Sequence, residues 1–346
     1  MRRIAAFVLL GLGVFAVALG LLLRLYAYPK LAKVPLEQDS TSVAKGTDIK
    51  ALVVDRVDGV PSPEVRTGLS LTSTTHVTGD LTQPEVVKDG DTAAYVEAVK
   101  TTDDDSGLVV NASVRALCVD RRSSVAVAPC EGQYVEKQQG ERDTGDRNKI
   151  QQPGLSFKFP FGAEKRDYRY FDLSVGKAVK ARFDGAATVQ GLDVYRYVMT
   201  VPPTKIGTRE VPGSLVGEDD TPSLVAQLYY EVVRTVWVEP ETGIIVVGEQ
   251  QGKQELLVKG QEPGDGTLVF DGTLRFTEKT IGDNVAKAEE NKSKLSLLTS
   301  WPVAVWIGGG LLIVVGVVLL VTGPRRVGAH ASSSTPPKIK EASTSG

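Results

Sequence analysis

Residues 301–321 read WPVAVWIGGGLLIVVGVVLLV, with no charge, and Arg325 and Arg326 follow close behind. A helix needs about 20 apolar residues to cross the hydrocarbon core of a bilayer. This stretch has that length. Trp301 and Trp306 stand at its start, where amphipathic indoles favour the headgroup level. A second such run, IAAFVLLGLGVFAVALGLLL, occupies residues 4–23. It is longer than the roughly 7–15 apolar residues of a signal peptide, whose cleavage site follows the apolar run. Here the one Ala-x-Ala pair, Ala16 and Ala18, lies inside the run, which predicts an uncleaved anchor. Gly13, Ala16 and Gly20 share one helical face, as do Gly309, Gly316 and Gly323. Small residues let helices approach closely in lipid, so the two spans are expected to pair.

The segment between the runs is then a loop domain. Arg2, Arg3, Arg325 and Arg326 favour both termini on the cytoplasmic side, against the opposing count of Arg24, Lys30 and Lys33. The expected layout is a two-span plasma-membrane protein: a short N-terminus (1–3), a span (4–23), a linker (24–47), an extracytoplasmic β-rich domain (48–282), a membrane-proximal helix (283–300), a span (301–321) and a disordered cytoplasmic tail (322–346). The tail is Ser, Thr, Pro, Ala and Lys without apolar periodicity.

Within the domain, short segments rich in Val, Tyr and Thr alternate with turn residues. They fall at 48–54, 69–77, 93–100, 108–119, 157–161, 168–173, 175–183, 192–201, 231–238, 244–250, 254–258 and 267–276. No long helical stretches alternate with them, so the fold class is α+β, with a mainly antiparallel β domain, a few helices and two flanking transmembrane helices. Glu239-Pro240-Glu241-Thr242-Gly243 reads as a hairpin turn. Before it, Val233, Thr235 and Trp237 alternate with Val232, Arg234, Val236 and Val238. Both faces are apolar, which predicts a central strand covered on both sides. Thr221-Pro222-Ser223 has the form of a helix start, with Leu224, Val225, Leu228 and Tyr229 as the buried stripe. A second helix is expected from Asp283, with Val285, Ala288, Lys292, Leu295 and Leu298 at helical spacing, running into the second span.

Chemistry-bearing residues are sparse. Net charge is -2 over 346 residues, so no basic field marks a nucleic-acid partner. There are two cysteines and two histidines. Cys118 and Cys130 flank an expected hairpin turn and are expected to form a disulfide outside the cytosol; their spacing does not match a zinc motif. His76, in Thr74-Thr75-His76-Val77-Thr78, has the setting of an ordinary strand residue rather than a catalytic base. Asp103-Asp104-Asp105 lacks the pattern of a calcium loop, and Glu218-Asp219-Asp220 reads as an exposed turn. Gly213-Ser214-Leu215-Val216-Gly217 has its serine in the wrong place for a nucleophile elbow. No catalytic residue, cofactor or metal ligand is expected, and an enzyme is the least favoured reading.

Several segments together resemble the actinobacterial porin PorA-like family of envelope proteins. They are Phe159-Pro160-Phe161, Lys165-Arg166-Asp167-Tyr168, Phe171-Asp172, the run from Gly191 to Tyr197 and the run from Val236 to Gly243, joined by Asp120-Arg121-Arg122 and the two apolar runs. The resemblance covers nearly the whole chain. It implies a two-anchor protein with an extracytoplasmic β-rich domain, one branch of the family being tied to envelope lipoglycan maturation and lipid binding. The layout is also similar to CD36-class receptors. A β-barrel pore needs strands with an apolar lipid-facing side, whereas Lys177, Lys180, Arg182 and Asp184 put charge on these strands. The main functional expectation is therefore binding or transfer of a membrane lipid or lipid-linked glycan in envelope biogenesis. A scaffold for envelope-synthesis membrane enzymes and a porin or channel stand as alternatives.

Overall fold

The first and last strands of one twelve-stranded antiparallel sheet lie side by side at its middle. The computed structural model describes residues 2–137, 141–143 and 151–322. The expected tail, including Gly323, lies outside them apart from Thr322. The strands are β1 (Asp39–Val57), β2 (Val60–Gly79), β3 (Thr92–Asp103), β4 (Val109–Asp120), β5 (Tyr134–Lys137), β6 (Glu141–Asp143), β7 (Tyr168–Asp172), β8 (Lys177–Val189), β9 (Leu192–Val211), β10 (Leu224–Val238), β11 (Ile245–Leu257) and β12 (Thr267–Phe276). Their order is β6-β5-β4-β3-β2-β1-β12-β11-β10-β9-β8-β7. Two meanders therefore spread from the β1–β12 pair, each strand lying beside its neighbour in sequence. The sheet curls into a half-barrel. Register shifts between Lys45 and Lys50 and between Gly46 and Ile49 in β1 mark bulges, which bend a strand and increase its twist.

The strands run longer than the apolar pattern predicts. β1 begins at Asp39, inside the expected linker, and pairs Asp39–Gly46 with β2 residue by residue. That segment, Asp-Ser-Thr-Ser-Val-Ala-Lys-Gly, is mostly polar or small, so it pairs by backbone bonding without an alternating apolar signal. The helix expected after Thr221 is instead β10, bonded to β9 on one side and β11 on the other. Leu224, Ala226, Leu228 and Tyr230 also fit a period of two, and ladder bonding on both sides decided between the two periods. The segments expected at 244–250 and 254–258 merge into the single strand β11 (Ile245–Leu257), while residues 157–161 are not a strand. β10 is central as expected. Val236 and Val238 enter one core cluster with Tyr197 and Met199, while Trp237, from the other face, packs against a second with Val246, Val247 and Ile281.

Four helices are described: α1 (Arg2–Leu22), continued by a π-helical turn (Leu23–Ala27) into α2 (Tyr28–Leu31), then α3 (Pro84–Asp89) and α4 (Glu278–Val321). The chain divides into two compact units, residues 24–299 and residues 1–23 with 300–346. In the sheet unit, Ile281, Val285 and Ala288 of α4 pack on Leu192, Val194 and Val246. In the other unit, α1 and the apolar part of α4 are each long and apolar enough to cross a membrane. They touch through the expected small residues. A Cβ on Gly13 would stand 2.6 Å from Ile313 Cγ1 and 2.7 Å from the Gly309 carbonyl, and one on Gly316 would stand 2.8 Å from Leu10 Cγ. Gly20 faces the Trp306 indole.

The hairpin turn Glu239–Gly243 is fixed from within. Buried Glu239 accepts the N–H groups of Glu241 and Thr242 at 3.0 and 2.7 Å and the Thr242 hydroxyl at 2.6 Å. Residues 159–163 lie along this turn, with backbone bonds from Phe159 to Gly243, Gly162 to Glu241 and Ala163 to Pro240. Gly243 has φ of +73°, and a Cβ there would collide with the Phe159 carbonyl and lie 2.6 Å from that of Pro160. Gly243→Ala is therefore expected to cost about 2 kcal/mol or more of stability, from the positive φ together with the lost contact. Denaturant unfolding monitored at the domain's tryptophan fluorescence measures it.

Candidate functional site

A strap, residues 152–163, lies inside the curl of the sheet and touches both of its arms. Gln152 donates to the Ala116 carbonyl of β4 at 3.1 Å. Leu155 exchanges backbone bonds with β7, its N–H to Arg169 at 2.8 Å and its carbonyl from Phe171 at 2.8 Å. The Tyr170 hydroxyl donates to the Ser156 carbonyl. Phe157 meets Tyr95 of β3 edge-on at 5.5 Å between ring centroids, and Phe159 stacks on Tyr197 of β9 at 4.5 Å. Backbone bridges from Val119 to Ala126, Val125 to Leu155 and Leu155 to Tyr170 carry the closure from β4 to β7.

Residues directly paired in a ladder share a face. Val77, Glu97 and Arg115 are paired across β2, β3 and β4. Met199, Arg234, Gln250 and Leu274 are paired across β9 to β12. Five strands separate β4 from β10 in the sheet, yet the charges of Arg115 and Arg234 act on each other and both act on Tyr170. These side chains therefore look across the concave face.

Two ion pairs organise that face. Arg115 Nε and Nη2 donate to the two Glu97 oxygens at 2.7 and 3.2 Å, with the side chains 6% and 15% exposed. Nη1 reaches Gln152 Oε1 and Ser156 Oγ at 3.4 and 3.5 Å, and the guanidinium lies 5.1 Å from the Phe157 ring centroid. Burial by itself would lower the Arg115 pKa, but Glu97 more than reverses this, and the net direction is upward. In the second pair, Arg234 Nη2 lies 3.3 Å from Asp172 Oδ2, and its Nε and Nη2 donate to Gln250 Oε1 at 3.0 and 2.8 Å. Asp172 Oδ1 accepts the N–H groups of Ser174 and Val175 at 3.0 Å each. Burial raises the Tyr170 pKa and pushes that of Tyr230 up to about 12, so both stay neutral.

The same face carries a row of half-buried groups, Ser42, Thr75, Val99 and Ser113, on β1 to β4. The convex face is also charged. Lys45, Arg275 and Glu249 are paired across β1, β12 and β11, with side chains 57%, 44% and 37% exposed. On β8, Lys180 and Arg182 are 74% and 66% exposed.

Lys158, on the strap, places its ammonium 3.5 Å from the Phe161 ring centroid. Burial pushes its pKa down to about 7; Glu239 opposes this and Lys287 of α4 adds to it. Close by, Lys292 of α4 pairs with Glu241 at 3.2 Å.

The other residues considered from sequence lie elsewhere. His76 sits on β2, as expected, with Thr41 Oγ1 2.9 Å from Nδ1 and Asp39 Oδ1 3.6 Å from Nε2. This group lies on an open strand surface, where Asp39 is 80% exposed and water screens the pair. Asp103 caps its own turn by accepting the Ser106 N–H at 3.0 Å and the Ser106 hydroxyl at 2.5 Å, and Asp104 pairs with Lys45 at 3.2 Å. Cys118 and Cys130 are joined in a disulfide with their Cα atoms 5.8 Å apart. Glu97 and Arg115 belong to no motif, and Asp172 stands in one of the resembling segments without a role assigned to it. Their one signal is a charge at an inward position of an otherwise apolar strand face, as Arg234 has between Val232 and Val236.

Comparison with known proteins gives a consistent result. A family model described as Porin PorA matches residues 5–318. The chain is 29% identical over 259 residues to a Porin PorA of Corynebacterium amycolatum, covering 63% of this chain and 65% of that protein. It is 25% identical over 292 residues to a Porin PorA of Corynebacterium resistens, covering 65% of this chain and 70% of the relative. The chain thus spans just under two thirds of the first relative's length. Among solved structures, a MaoC domain dehydratase from Chloroflexus aurantiacus aligns over 77% of this chain and 80% of its own, at 13% identity and a TM-score of 0.16. That superposition is too poor to bear on the fold.

Two measurements test the site. Arg115→Met leaves the Glu97 carboxylate desolvated and is expected to cost about 3–5 kcal/mol, while Glu97→Gln with Arg115→Met recovers most of the loss. A double-mutant cycle by urea unfolding reads the coupling. The Lys158 pKa is depressed from 10.5 to about 7 on folding, so the unfolded chain binds more protons between those values. Wild-type stability relative to Lys158→Met is therefore expected to rise with pH from about 7 to 10 and to be flat below 7.

Proposed function

The chain belongs to the porin PorA family, and on that premise we propose that it works as a membrane-anchored porin of the cell envelope. The paired charges on the concave face carry this reading. Glu97, Arg115, Asp172 and Arg234 look inward beside the hydroxyls of Ser42, Thr75 and Ser113. An acyl-chain tunnel wants a continuous apolar lining, so these charges weigh against the lipid or lipoglycan transfer expected from sequence. A path for small hydrophilic solutes tolerates them. The names of the relatives point the same way.

In this reading α1 and the apolar part of α4 hold the chain in the bilayer. Ile4, Phe7, Phe15, Ile307, Leu311 and Val314 are all more than half exposed there, which suits a lipid solvent. The strands stay in water, because charge on the convex face is costly against hydrocarbon. Crossing the bilayer then falls to helices contributed by several copies, while the polar groups inside the half-barrel, the strap's among them, are the candidate solute contacts. The orientation that fits is a cytoplasmic location for both termini, with the sheet outside, and no catalytic step is assigned.

Reconstitution of the full chain in planar bilayers tests the proposal. Discrete conductance steps are expected. Ser113→Lys, which adds a cation to the hydroxyl row, is expected to shift the reversal potential in a salt gradient towards anions. A silent bilayer at verified protein density, or an unchanged reversal potential in a folded Ser113→Lys protein, rejects the path. A stoichiometric lipid retained through purification would return the argument to lipid transfer.

A further inference from the structure

The disulfide corner holds a feature that the disulfide itself leaves unexplained. A carboxylate oxygen of Glu85, Cys118 Sγ and Cys130 Sγ lie within 4.8 Å of one another, the one such group of three His, Cys, Asp or Glu donors among the described residues. Cys118 and Cys130 are 0% and 7% exposed. Glu85 Oε1 accepts the N–H of Glu131, the residue after Cys130, at 3.0 Å. Oε2 is buried and has no hydrogen-bond partner. A buried carboxylate oxygen without a partner is costly, and a disulfide has no proton to offer it.

We propose that this corner is a redox-gated site for a thiophilic divalent cation of the zinc class, occupied when the disulfide is reduced. A dithiol reductant supplies two electrons and two protons. The S–S bond breaks, the reductant leaves as its own disulfide, and the two cysteines become thiols. The incoming cation displaces both thiol protons to solvent and binds two thiolates and Glu85 Oε2, with water in the fourth position. Zinc accepts this mixture of sulfur and oxygen ligands in tetrahedral geometry, at about 2.3 Å from sulfur and 2.0–2.2 Å from carboxylate oxygen. Two sulfurs so bound stand roughly 3.7 Å apart, an opening that the 5.8 Å Cα separation accommodates with side-chain rotation. In the reverse step a small disulfide takes the two electrons and, with two protons from solvent, leaves as two thiols, the Cys118–Cys130 bond re-forms and the metal is released.

The third ligand is held in advance. Asp80 fixes the approach to α3 by accepting the Thr82 N–H and hydroxyl at 2.9 and 2.6 Å and the Gln83 amide at 2.6 Å. Val86 and Ala94 pack beside the sulfurs and close one side of the corner. The sequence hides the site because Glu85 is distant from both cysteines along the chain, so no ligand-spacing motif forms. The proposal does not depend on the porin reading.

Titration of the full chain with Co²⁺, after phosphine reduction under argon, tests it. The reduced wild type is expected to bind one Co²⁺ with thiolate-to-metal charge-transfer bands and tetrahedral d–d bands, which Zn²⁺ then displaces. The oxidised protein is expected to bind none, and reduced Glu85→Gln at least about tenfold more weakly. Equal affinity in Glu85→Gln, or no thiolate bands in a reduced wild type that keeps its near-UV circular dichroism, overturns the site. Should reduction alone unfold the corner, Zn²⁺ is expected to restore the fold in the wild type and not in Glu85→Gln; failure to restore it overturns the proposal equally.

Discussion

A charged group inside a curved sheet must be paired, and that requirement organises the sheet unit. Arg115 is nearly inaccessible, so Glu97 must hold its charge and Gln152 and Ser156 must answer its remaining donors. Those two partners lie on the strap, and the strap is bonded to β7 and β4. Asp172 and Arg234 repeat the arrangement on the other arm. The two arms of the meander are thus tied through polar contacts at the centre, while seven separate apolar clusters fill the regions around them. Buried pairs of this kind add little net stability but penalise every arrangement that separates them. They select one curvature of the sheet.

The turn at Glu239–Gly243 shows how the same strap is anchored at its far end. Glu239 satisfies three donors within the turn, which leaves the carbonyls of Pro240, Glu241 and Gly243 free to receive the strap. Lys158 and Lys292 bring strap and α4 to that turn from two sides. The strap, the turn and the first part of α4 therefore share one electrostatic neighbourhood, and the protonation of Lys158 near neutral pH acts on all three.

Polarity is divided unevenly between the two units. The strands carry charge outside and inside, and the apolar surface is concentrated on α1 and residues 300–321. This distribution is the opposite of a transmembrane β-barrel, whose strands are apolar outward. Of the two units, the helical one carries the surface that suits lipid, and α1 and α4 meet closely there at Gly13, Gly309 and Gly316.

The apolar runs, the turn at Glu239–Gly243, the central position of β10 and the facing glycines were legible in the sequence because each depends on a local pattern. Composition, helical period and turn chemistry are all set within a few residues. The longer reach of β1, the strand at 224–238 and the concave network were not legible, because each depends on partners far along the chain. Asp39–Gly46 has no apolar alternation and becomes a strand only when β2 bonds to it. Leu224 to Tyr230 fits helix and strand alike until β9 and β11 supply their ladders. Glu97 and Arg115 carry no local signal of their pairing, which arises when β3 and β4 come into register and the sheet brings Ser156 and Tyr170 close. The sequence by itself determined two apolar helices and an antiparallel domain, through periodicity. The tertiary structure decided which charges face inward, since facing is a property of curvature, and curvature arises only when distant strands pair.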